Sequence, residues 1–119
     1  MELITKNGRT VAVIDKTEMI NSVQDALDLM ASARYLGDCD AMAVYKESLP
    51  EDFFNLKTRF AGDVLQKFSN YRFKFAVMGD FGAYSSKALR DFIYESNKGT
   101  LVFFKSSLEE ALEALTRGS

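Results

Sequence analysis

The hydrophobic positions of this chain change period several times along its length, and each change marks an element. Leu3-Ile4-Thr5 and residues 10–14 are β-prone runs that flank Lys6-Asn7-Gly8-Arg9. Asn-Gly between such runs is a strong hairpin signal, because both residues tolerate positive φ. Val23, Ala26, Leu27, Met30 and Ala33 then recur at helical spacing on one face. Asn21 or Ser22 caps this helix, with Gln24 or Asp25 at the reciprocal position of a capping box, and Gly37 stops it. Asp38-Cys39-Asp40 turns the chain into a short strand over 41–46.

Pro50 stands at an N1-like position, and Glu51-Asp52 place negative charge near a helix N-terminus. Phe53, Leu56, Phe60, Val64 and Phe68 follow at spacings of three and four, with Ala61 and Leu65 beside them, as far as Asn70. The apolar spacing runs unbroken through Leu56 and Phe60, so one continuous helix is the first expectation. Two shorter helices broken near Asn55 are the alternative.

The last third repeats a strand–helix unit. Residues 72–78 alternate, with Phe73, Phe75 and Val77 on one face and Arg72, Lys74, Ala76 and Met78 on the other. A helix over 86–97, capped by Ser85 or Ser86, turns Leu89, Phe92 and Ile93 inward and leaves at Gly99. Residues 101–104 form a further strand. Ser107-Leu108-Glu109-Glu110 has the form of a capping box, and Leu108, Ala111, Leu112 and Leu115 line the inner stripe of a last helix. Residues 116–119 read as a frayed tail.

Strand–helix–strand repeats require crossovers, and crossovers make parallel sheet. The expectation is a single α/β domain over 1–119 in the order ββαβαβαβα. Its five-stranded sheet is mostly parallel, with an antiparallel first strand. Arg72 and Lys74 imply a second face only thinly covered, so the helices lie chiefly on one face.

This order resembles the domain shared by sulfate transporters and anti-sigma-factor antagonists (the STAS or sporulation antagonist-like fold). The ending over 101–112 is similar to that superfamily's last strand and helix. Residues 23–30, 52–81 and 86–99 are similar to a bacterial family known only as a domain of unknown function, DUF4180. In the antagonist family a serine in an Asp-Ser-Ser-Gly-like turn opens the helix after the third strand, and its phosphorylation switches binding to a kinase partner. The nearest match in this chain is 57–65, which puts Thr58 at the switch position. Lys57 stands where that family has an acidic residue, and Arg59 follows.

Composition narrows the chemistry. Histidine is absent, so no Ser–His or Cys–His nucleophile pair exists within the chain, and metal sites lose their commonest neutral ligand. Cys39 is the only cysteine, which excludes an internal disulfide and points to a cytoplasmic home. Asp38 and Asp40 disfavour its thiolate, so it reads as a plain loop cysteine. A net charge of −2 gives no basic footprint for nucleic acid, and no apolar run approaches a membrane span.

Two places remain for a ligand. Lys57 and Arg59 make an anion site if the helix breaks at Asn55; in a continuous helix they are solvated. Beyond the strand 72–78, the loop 79–86 lies at the edge where parallel sheets bind ligands, and it brings Asp80, Tyr84, Ser85 and Ser86. The plainer reading makes Asp80 a turn residue and Ser85 or Ser86 a cap. Ten Phe and five Tyr exceed what a one-faced core needs, which implies an aromatic partner or homodimer surface. The expected function is a cytoplasmic, non-enzymatic regulatory or protein-interaction module without metal or cofactor. The alternative is a small-ligand or nucleotide-binding domain that uses 79–86.

Overall fold

In the computed structural model, which describes residues 1–117, the chain opens with β1 (Glu2–Lys6) and β2 (Arg9–Val13). They pair antiparallel with Lys6 opposite Arg9, and the turn between them holds Asn7 at φ 54° and Gly8 at φ 76°. Two positive φ values in sequence match the twist of the strands, which is why Asn-Gly is the natural choice there.

Helix α1 (Val23–Gly37) is capped by Ser22, whose hydroxyl accepts from Asp25 N. The Asp25 carboxylate accepts in return from Asn21 N at 2.9 Å. Gly37 is the last helical residue, and Asp38 takes the left-handed position at φ 52°. Strand β3 (Ala41–Tyr45) follows, buried along almost its whole length.

The continuous helix expected over 50–70 is not formed. The segment divides into α2 (Glu51–Phe54), a 3-10 turn (Leu56–Thr58) and α3 (Phe60–Asn70), with Arg59 at φ 65°. Length supplies the reason. An unbroken helix of this span would run about 30 Å, against about 17 Å for a five-residue strand. Breaking at Asn55 folds the two parts back over the sheet, so that Phe53 and Phe54 are buried along with Val64 and Phe68.

Strand β4 (Lys74–Met78) starts later than the alternation implies, because Arg72 adopts φ 52° to reverse the chain after α3. Helix α4 (Lys87–Lys98), β5 (Val102–Lys105) and α5 (Leu108–Thr116) complete the chain. The expected frayed tail is corrected in part: Thr116 is buried in α5, donating to Leu112 O and accepting from Asn7 Nδ2. Positions 118–119 lie outside the described residues.

The strands lie in the order β1-β2-β3-β4-β5, with every pair after the first parallel. Right-handed crossovers that step in one direction across a sheet must all lie on the same face. Helices α1 to α4 accordingly join one core, in which Phe68 stacks on Phe75 at 4.3 Å and meets Phe73 at 5.7 Å. Helix α5 follows the last strand, crosses nothing, and is free to cover the other face. There Ala111, Ala114 and Leu115 seat against Val11, Val13, Ala43, Ala76 and Phe103. The small residues of β3 and β4 on that face let one short helix approach closely. The architecture is α/β, with helices chiefly on one face.

Candidate functional site

The segments that follow β3 and β4 meet the broken helix at one surface. Gly79 follows β4, and a Cβ there would lie 2.7 Å from Lys46 Cβ. The missing side chain lets the Lys46 stem cross over the end of β4. The Lys46 ammonium then donates to Asp80 O at 3.1 Å and stands 4.6 Å from the centre of the Tyr84 ring. Lys46 escaped the sequence reading, although its place directly after β3 satisfies the strand-end rule that singled out 79–86.

Asp80 and Ser86 take the plainer roles. The Asp80 carboxylate accepts from Gly82 N at 2.9 Å, and the Ser86 hydroxyl accepts from Leu89 N to cap α4. Ser85 is exposed in the same loop. Tyr84 differs. Its ring stacks on Phe54 with centroids 5.3 Å apart, and its hydroxyl is enclosed with no hydrogen-bond partner among the described residues. Phe81 packs edge-on against Phe104 and beside Phe54, so α2 and the loop 79–86 share one aromatic seam.

Next to this seam is an open cleft of about 520 Å³, lined by Gly79, Asp80, Phe81, Phe104, Ser106 and Glu110 among others. Of the candidate residues only Asp80 lines it. Ser106 has no signal in the sequence, and Glu110 has that of a capping box and not of a site residue. The Glu110 carboxylate accepts from the Ser106 hydroxyl at 3.0 Å, while Ser107 accepts from Glu110 N, so the capping box closes one residue earlier than its pattern implies.

The other candidates sit on the 3-10 turn. Asn55 Oδ1 accepts from Lys57 N at 3.2 Å. The Thr58 hydroxyl lies 2.6 Å from Asp52 O, to which it donates, and accepts from Phe60 N at 3.2 Å. It thereby satisfies an amide at the start of α3, where helices leave amides without intrahelical partners. Lys57, Thr58 and Arg59 are all exposed. Among the described residues, no hydrogen bond or ion pair joins Lys57 or Arg59 to Asp80, Tyr84, Ser85 or Ser86. Phe54, which precedes the 3-10 turn, packs against Phe81 and Tyr84 of the loop.

Cys39 lies in the loop before β3, as its position implies, but its side chain is buried in the larger core. Burial pushes its thiol pKa up, and the Asp40 and Asp38 carboxylates push it further. Among the described residues no Phe side chain is exposed: the Phe side chains are taken up by the two cores and the aromatic seam. The exposed aromatics are Tyr35, Tyr71 and Tyr94. Among the described residues, no group of three or more Asp, Glu or Cys side chains is placed to hold a metal ion, and no helix is long and apolar enough to cross a membrane.

A family model described as a domain of unknown function (DUF4180) matches residues 6–115, from the first hairpin to the last helix. The chain belongs to this DUF4180 family. No curated protein and no solved structure matches it. The match spans the broken helix, the loop 79–86 and the cleft alike.

Proposed function

We propose that this DUF4180 domain is a non-catalytic, cytoplasmic interaction module of the anti-sigma-factor-antagonist (STAS) type. It offers the turn 55–59 and the adjoining loop 79–86 to a protein partner, and phosphorylation of Thr58 alters that face. The observation that carries the reading is the break at Asn55. It brings Thr58 out of what would be a helix interior and sets it, exposed, against the first amide of α3. The resemblance rests on the order ββαβαβαβα; the fold follows it except that α2 and α3 stand where that order has one helix.

Phosphorylation replaces the hydroxyl proton of Thr58 with a phosphoryl group, which ends the bond donated to Asp52 O. The new dianion stands at a helix N-terminus between Lys57 and Arg59, where amides and cations favour it. Reorganisation of 52–60 would then change the partner surface. Phosphothreonine mapping on protein isolated from its source cells in several growth states tests the first step. Cross-linking with Thr58→Val and Thr58→Glu tests the second. The expected result is a modified Thr58 and a partner retained by Thr58→Val and lost by Thr58→Glu. Absence of the modification in every state, together with equal capture by both variants, overturns the proposal.

A second reading, binding of a small polar ligand or nucleotide at the strand ends, is favoured by the enclosed, unpartnered Tyr84 hydroxyl and by the Lys46 ammonium over the same ring. A buried hydroxyl without a partner costs stability and is relieved by an acceptor that reaches it. A nucleotide and metabolite panel should raise the melting temperature of the wild type and not of Tyr84→Phe. A panel without any stabilising compound removes this reading.

A further inference from the structure

The sheet has two outer edges, and they are finished differently. On β5 the side-chain amide of Asn97 closes the edge: Oδ1 accepts from Phe104 N at 2.8 Å and Nδ2 donates to Phe104 O at 3.2 Å. On β1 no side chain does this among the described residues; the Thr5 hydroxyl turns inward to Thr10. An unguarded edge presents a row of backbone donors and acceptors ready to pair.

The hairpin register fixes which groups face outward. In a two-residue hairpin the pair flanking the turn, Lys6 opposite Arg9, exchanges hydrogen bonds, and bonded and non-bonded pairs alternate from there. Lys6, Ile4 and Glu2 therefore bond to β2, while the N–H and C=O of Leu3 and Thr5 point away from the sheet.

We propose that β1 is a self-association edge, on which β1 of a second copy of this chain adds antiparallel with the two-fold axis at Ile4. One continuous sheet then runs through both copies. The axis follows from the sequence Glu2-Leu3-Ile4-Thr5-Lys6. With Ile4 opposite Ile4, Leu3 of each copy meets Thr5 of the other, so the outward groups pair in both directions. The same axis sets Glu2 opposite Lys6 of the second copy. Both lie on the α5 side of the sheet with Ile4, and opposite charges across strands attract. Moving the axis to Leu3 or Thr5 loses both charge pairs. Lys6 already lies 3.6 Å from Glu113 of α5, so in the dimer it stands between two carboxylates.

The other side of the edge is apolar. Leu3 is 40% exposed and abuts Gly37, where a Cβ would fall 2.8 Å from Leu3 Cδ1. Leu36, one residue earlier on α1, is 61% exposed. Paired copies bring these side chains toward the two-fold axis and cover Leu3. A single strand edge is a small interface, so a dissociation constant of about micromolar order is expected.

Sedimentation equilibrium of the full chain from low micromolar to near millimolar concentration reads the dimer directly. Glu2→Lys places Lys opposite Lys, and Lys6→Glu places Glu opposite Glu. Each should weaken dimerisation at least about tenfold. An equimolar mixture of the two variants restores both charge pairs and should form the heterodimer. Thr5→Pro removes an outward N–H while leaving the bonds to β2 intact, since proline is tolerated on the free side of an edge strand. It should also abolish the dimer, with thermal melting showing that the fold survives. A monomer at all concentrations overturns the proposal, as does a dimer that tolerates these variants or a mixture that fails to reassociate.

Discussion

Asn97 closes the β5 edge, and its removal should be felt in proportion to the bonds it makes. Asn97→Ala deletes both hydrogen bonds to the Phe104 backbone. Each contributes about 1 kcal/mol net, and a buried amide left without a partner costs about 1–3 kcal/mol. Phe104 is 4% exposed, which puts its N–H nearer the upper part of that range. Against this, alanine is the better helix former, by up to ~0.7 kcal/mol. The expected net loss is about 1.5 kcal/mol, or about 5 °C in melting temperature for a domain of this size. Asn97→Asp should cost as much, because it keeps the acceptor for Phe104 N but sets an oxygen against Phe104 O. Urea unfolding with an unchanged slope measures the loss, and amide exchange at Phe104 locates it. A loss below about 0.5 kcal/mol with exchange at Phe104 unaltered would refute the idea that this side chain stands in for a strand.

Other substitutions test the packing that frames the site. Gly79→Ala should cost about 1–3 kcal/mol, since its Cβ would meet Lys46 Cβ at 2.7 Å and the two strands must part. Gly37→Ala meets the flexible tip of Leu3 at 2.8 Å and should cost clearly less; thermal melts that reverse this order would contradict the geometry. Phe68→Ala removes a fully buried ring from the Phe73–Phe75 cluster and should lose about 3–5 kcal/mol, against which a chemically measured loss under ~2 would count. Cys39 should react slowly with iodoacetamide until the protein unfolds, because burial and then Asp40 and Asp38 hold its thiol protonated. The sign of its pH effect follows: the folded state keeps the proton longer than the unfolded state, whose thiol titrates near about 8.5. Stability attributable to Cys39 is thus full below that pH and declines above it, toward the raised folded value. Denaturation midpoints of wild type and Cys39→Ala should converge as pH rises through this window, and a constant difference would contradict it.

Much of the fold was legible because local chemistry and global packing agree. Asn7-Gly8, the Ser22, Ser86 and Ser107 caps and the alternation of Phe73, Phe75 and Val77 each name their structure in a few residues. The break at Asn55 was not legible, because the apolar spacing of 53–68 fits a continuous helix equally well. What decides it is the length of the sheet beneath, a property of other residues. Cys39 lies in the expected loop with its thiol pKa raised as the flanking carboxylates imply, but its burial has no local signal: Asp38 turns the chain so that the thiol points into the core. At the site, Asp80 and Ser86 carry their expected turn and cap signals, whereas Lys46 has no local motif and Glu110 has only that of a capping box. They matter only through what the topology brings beside them.

That topology also keeps the two proposed surfaces apart. Strand β1 is at one edge of the sheet, while the turn 55–59 and the loop 79–86 sit at the C-terminal ends of β3 and β4, nearer the other edge. Pairing through β1 therefore leaves Thr58, Lys46 and Tyr84 uncovered in both copies. A dimer would present two such faces related by the same two-fold axis, so a partner that is itself two-fold could engage both at once. Linked binding of this kind raises apparent affinity without any new contact. In such a dimer, the proposed modification of Thr58 would have a graded effect, because a copy altered alone would leave its neighbour competent. The charge variants on β1 separate these contributions: Glu2→Lys should weaken capture of a bivalent partner while leaving the single-site interaction at Thr58 unchanged.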